Sequence, residues 1–67
     1  MRFYTYLCMW RRPARGTVPM RGLWHIVDAE MPESHGMVEY TRRLEPWEEK
    51  KYALRYDGEY EIGEAGA

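Results

Sequence analysis

From Phe3 to Trp10 the chain offers no wet face. Phe3, Thr5, Leu7 and Met9 fall on one side of an extended segment, and Tyr4, Tyr6, Cys8 and Trp10 on the other. A strand spanning Arg2 to Trp10 with apolar residues on both sides belongs in the middle of a sheet, or in a sheet covered on one side and used on the other. With 67 residues to arrange around it, the chain makes one domain, which buries only about 60% of the surface its unfolded form exposes. Large aromatics or self-association then have to supplement the core. Ten aromatic residues, three of them Trp and six Tyr, are available for this.

The next stretch, Arg11 to Gly22, carries Arg11, Arg12, Arg15 and Arg21 and no acidic residue. Pro13 and Pro19 stiffen it, while Gly16 and Gly22 let it turn, so its guanidinium groups are expected to point outward from a semi-rigid loop. Charge is segregated along the chain. The first twenty-two residues hold a formal +5 and the remainder −6, so a net −1 conceals an electrically polarised molecule.

Leu23 to Glu30 and Met37 to Leu44 alternate as strands, and Pro32, Ser34 and Gly36 mark the turn that should pair them antiparallel. Pro46 opens a short helix over Pro46 to Leu54, with Glu48 and Glu49 in its first turn and Lys50 and Lys51 after them. Trp47 and Leu54 are the expected anchors of that helix on the sheet. Asp57-Gly58 closes a hairpin, follows the helix end or precedes a fourth strand, and Glu59 to Ile62 is the preferred strand. The predicted fold class is therefore α+β. A small antiparallel sheet of three to four strands carries one short helix on one face, within a single domain over residues 1–62 and a frayed tail over 63–67.

Several function classes find no support in these residues. Cys8 is the lone cysteine, so no disulfide forms within the chain and a reducing, cytoplasmic setting is expected. No stretch approaches the apolar length of a membrane span, and the N-terminus lacks a signal-peptide cleavage pattern. Asp28, Glu30, Glu33 and His35 match no calcium loop and read as a solvated turn. Cys8 and His25 could meet across neighbouring strands, but nothing supplies an orienting acid, so Cys8 reads as a small buried apolar residue and His25 as a half-buried imidazole. No catalytic residue, cofactor or metal ligand is assigned, and an enzyme ranks last among the readings.

Two binding readings remain. In the first, Arg11, Arg12, Arg15 and Arg21 grip an acidic partner protein with bidentate guanidinium contacts; the alternative for the same loop is that it pairs with the chain's own acidic tail. In the second, Tyr4, Tyr6 and Trp10 stack the bases of a single-stranded nucleic acid beside that loop; the alternative for those aromatics is a core or an interface. The sheet face holding Tyr4, Tyr6, Trp10, Trp24 and Ile26 is expected to lack a lid, which predicts a twofold homodimer with these aromatics at its centre.

The sequence Phe3 to Tyr6, Arg12-Pro13, Gly16, Pro19, Gly22-Leu23 and Tyr40 to Leu44 resembles small proteins carried by phages and mobile elements of bacteria. The resemblance spans most of the chain. It implies an accessory protein that acts by binding a host or element component, and it brings no activity with it.

Overall fold

The computed structural model describes residues 1–63 and is α+β: four strands in one antiparallel sheet and one short helix. Residues 64–67, most of the tail expected to fray, lie outside the described residues. The strands are β1 (Arg2–Cys8), β2 (Leu23–Val27), β3 (Met37–Tyr40) and β4 (Leu54–Glu61), and the helix is α1 (Pro46–Lys51). Their spatial order is β2-β3-β1-β4. β1 is thus an inner strand, as its two apolar faces require, and β2 pairs antiparallel with β3.

Register decides which residues share a face. Tyr4 stands opposite Tyr40 and Tyr6 opposite Val38, while Cys8 faces Leu54 on the other side. All of these but Tyr4, which packs against it, belong to one cluster that also holds Val18 and Leu44, so the loop before β2 and the segment before α1 form its lid. Phe3, Thr5 and Leu7 point to the opposite face; Phe3 and Leu7 are buried yet lie outside that cluster.

The elements are shorter or longer than the sequence suggests, for identifiable reasons. β1 stops at Cys8 because its next partner is Gly36, whose carbonyl accepts the Cys8 N–H, and Trp10 turns out to solvent. β3 stops at Tyr40 because the Thr41 N–H donates to the Gly22 carbonyl at 2.9 Å, and Leu44 then drops into the core. α1 ends at Lys51, where Ala53 takes a left-handed φ of 52° and redirects the chain into β4. Asp57-Gly58 closes no hairpin. Thr5 pairs with Gly58 and Tyr6 with Tyr56, so Asp57 is the extra residue of a β-bulge inside an eight-residue strand. Gly58, at φ 152°, is the residue that lets the chain make this kink.

Trp47 does not anchor the helix. It is 60% exposed, and the one buried residue of α1 is Glu48. Glu48 turns inward because Arg42 meets it with two nitrogens at 2.8 Å and the Glu45 N–H donates to it at 2.8 Å. Leu54 is buried as expected, but at the start of β4 rather than on the helix.

Candidate binding surfaces

Two surfaces stand out, one on each side of the sheet. The first is the arginine loop, which is fastened down rather than extended as an arm. Its Pro13, Val18 and Pro19 are buried, and the Tyr40 hydroxyl donates to the Pro19 carbonyl at 2.7 Å. Thr17 and Ala14 exchange hydrogen bonds at 2.8 and 3.0 Å across the turn at Gly16. Pro13 also packs against Gly36 so closely that a Cβ there would stand 2.5 Å from the proline ring. The result is an ordered loop with an apolar underside and a charged rim.

On that rim the four arginines have different fates. Arg12 is taken by Asp28, with its Nε 2.8 Å from the carboxylate and a second nitrogen on the Asp28 carbonyl at 2.9 Å. Arg11 lies 4.3 Å over the ring of Trp10, which is itself 62% exposed. Among the described residues, Arg11, Arg15 and Arg21 have no carboxylate within ion-pair distance, although all three are exposed. The acidic strand β4 is neutralised from elsewhere: Arg2 bonds both Glu59 and Glu61 across the β1–β4 ladder. Those bonds hold Arg2 more firmly protonated, and Glu59 is pushed below the usual carboxylate range by the Tyr56 hydroxyl and then by Arg2.

The second surface is the uncovered face. Trp24 is the bulged residue of β2, between the pairs Leu23–Tyr40 and His25–Glu39. The bulge sends its ring across to Phe3, at 5.1 Å between centroids, and Tyr60 of β4 approaches Phe3 from the other side at 5.5 Å. Phe3 is buried beneath these two rings, while Trp24 is 59% exposed and Tyr60 is also exposed. Exposed Met1 and Ile62 extend the apolar strip, joined by a backbone hydrogen bond of 2.9 Å. Beside the strip stands Glu39, which accepts the Tyr60 hydroxyl at 2.8 Å. That bond raises the Tyr60 phenol above its ordinary pKa, since losing the proton would set two anions together.

The expectation of one lidless aromatic face is therefore corrected. Tyr6 is fully buried beneath the loop and Leu44, its hydroxyl accepting the Leu44 N–H at 2.9 Å. Tyr4 and Ile26 pack half-buried against the same cluster. Trp24 projects from the opposite face, and Trp10 lies beyond the strand. Tyr4, Tyr6 and Trp10 consequently form no stacking platform. Cys8 and His25 do not meet either, because β3 separates their strands and they point to opposite faces.

Glu39 and the Trp24 bulge were missed in the sequence. Strict alternation places Trp24 with Ile26, and only the inserted residue of the bulge reverses that. In the acidic turn the side chains find partners: Asp28 takes Arg12, Glu30 meets His35 at 3.1 Å and Glu33 approaches Arg55 at 3.9 Å. Among the described residues no cluster of three metal-ligating side chains occurs, and no helix is long and apolar enough to cross a membrane. Comparison of the chain with protein-family models, curated proteins and solved structures finds no match.

Proposed function

We propose that this chain is a small non-enzymatic interaction module that grips an acidic surface of a partner protein with Arg11, Arg15 and Arg21. The observation that carries the reading is the combination of a fastened loop with three exposed guanidinium groups that have no carboxylate partner among the described residues. A loop already held in shape loses little conformational entropy on binding, so its charge–charge contacts are not spent on ordering it. Arg12, bound to Asp28, orients the rim rather than serving as a free contact. An accessory protein of a phage or mobile element, working in the cytoplasm by occupying a host or element component, fits this design.

A second reading keeps one specific support. The Trp10–Arg11 stack is exposed and resembles half of a base-stacking site, so single-stranded nucleic acid is the alternative ligand. The experiment compares binding to a glutamate-rich peptide with binding to a thymidine oligonucleotide at increasing salt. The acidic peptide should bind the wild type, lose most affinity in the Arg11→Ala, Arg15→Ala, Arg21→Ala variant, and remain bound to Arg2→Ala. Tight oligonucleotide binding that collapses with salt and in Trp10→Ala, with no peptide binding, overturns the proposal in favour of nucleic acid.

A further inference from the structure

The uncovered face carries a second, independent specificity. We propose that it docks a partner protein segment that places an arginine or lysine side chain on Glu39 and lays its apolar neighbours on Trp24, Tyr60 and Phe3. The argument begins with the carboxylate. Glu39 sits on β3 with its side chain 12% exposed. Among the described residues no Lys or Arg reaches it.

Its two oxygens are used differently. Oε2 accepts the Tyr60 hydroxyl at 2.8 Å and lies 3.5 Å from the Thr5 hydroxyl. Oε1 has only the His25 Nδ1, at 3.7 Å, which is beyond hydrogen-bond reach. Among the described residues no fully buried side-chain oxygen lacks a hydrogen-bond partner, so Oε1 keeps some contact with solvent. Tyr60 thus fixes the orientation of the carboxylate and leaves one oxygen free to accept.

The surroundings suit a cation with an apolar stem. Trp24 and Tyr60 flank Phe3 and expose ring surface, and aromatic faces attract a guanidinium or ammonium group. Opposite Thr5, on the far side of β1 from Glu39, stands Gly58, where a Cβ would meet nothing within 4 Å, so β4 raises no side chain at that position. The strip continues to exposed Met1 and Ile62, which gives a docked segment further apolar contact. A carboxylate beside an aromatic strip, with no Lys or Arg on it among the described residues, selects a basic occupant.

The test uses three blocked tripeptides, leucine–arginine–leucine, leucine–citrulline–leucine and leucine–glutamate–leucine, titrated into isotopically labelled protein. The readout is the Trp24 indole N–H resonance, assigned with Trp24→Phe. The arginine peptide should shift that resonance saturably and bind about 5–30-fold more tightly than its neutral citrulline counterpart, with the glutamate peptide weakest. Glu39→Gln keeps an acceptor for Tyr60 and should erase the arginine preference while leaving the other resonances in place. The Arg11→Ala, Arg15→Ala, Arg21→Ala variant should bind the arginine peptide as the wild type does, which separates this surface from the loop. Equal binding of the arginine and citrulline peptides overturns the proposal. So does a Trp24 resonance that moves with protein concentration alone while sedimentation gives twice the chain mass, because a second copy then occupies the face.

Discussion

Arg42 and Glu48 form a bidentate pair, both nitrogens at 2.8 Å, at the point where the chain turns from β3 into the helix. Arg42 also donates to the Arg21 carbonyl at 2.9 Å, so the pair ties the end of the arginine loop to the first turn of α1. Arg42, opposed by burial and aided by the Glu45 N–H, holds the Glu48 carboxyl down at about 2 against an ordinary 4.5. A depressed carboxyl adds stability above its unfolded pKa and loses it as pH falls through the folded one. Unfolding free energy should therefore decline between pH 4.5 and about 2. In Glu48→Gln that decline should flatten, at a cost of roughly 1.5–3 kcal/mol at neutral pH. Urea titrations at several pH values measure both.

Tyr40→Phe should loosen the arginine loop. The substitution leaves the Pro19 carbonyl without its 2.7 Å hydrogen bond inside the core, which costs about 1–3 kcal/mol. Trypsin should then cut after Arg15 and Arg21 faster than in the wild type. Unchanged cleavage would mean that the loop is held by its buried prolines and Val18 alone.

Trp47 and Leu54 should separate sharply in a stability assay. Trp47→Ser removes an exposed ring and should change the unfolding free energy by no more than about 0.5 kcal/mol. Leu54→Ala empties a position in the main cluster and should cost about 2–5 kcal/mol. A large loss on changing Trp47 would contradict the exposure of its ring.

The Cys8 thiol is buried, and burial pushes its pKa up to about 11 from an ordinary 9. The group stays protonated in the native state, so a thiol-specific reagent at mildly alkaline pH should react at the rate at which the protein opens. Because the folded pKa is the higher one, this thiol's stabilising effect is complete below pH 9 and is lost as pH rises through about 11. Cys8→Ala should remove that share of the alkaline loss. Labelling of native protein as fast as that of the urea-unfolded chain would contradict the burial.

Much of the fold was legible because it depends on local chemistry. The inner position of β1 follows from apolar residues on both faces, the β2–β3 pair from alternating segments on either side of Pro32, Ser34 and Gly36, although their connection spans nine residues, and α1 from Pro46 and its charge order. The arginine loop was legible as a loop for the same reason. Its attachment was not, because the Tyr40 to Pro19 bond joins residues twenty-one positions apart and no local pattern announces it.

Alternation along the chain determined that Phe3, Thr5 and Leu7 oppose Tyr4, Tyr6 and Cys8, but it could not say which set receives a lid. Sequence period is a property of the strand, whereas coverage is a property of where the loop and Leu44 land once the sheet has formed. Their landing buried Tyr6 and half-buried Tyr4, while Trp10 and Trp24 stayed exposed. One inserted residue in β2 and another in β4 then decided the rest. A bulge shifts every later side chain to the other face, and so the tertiary structure alone brought Trp24 to Phe3 and Tyr60 to Glu39.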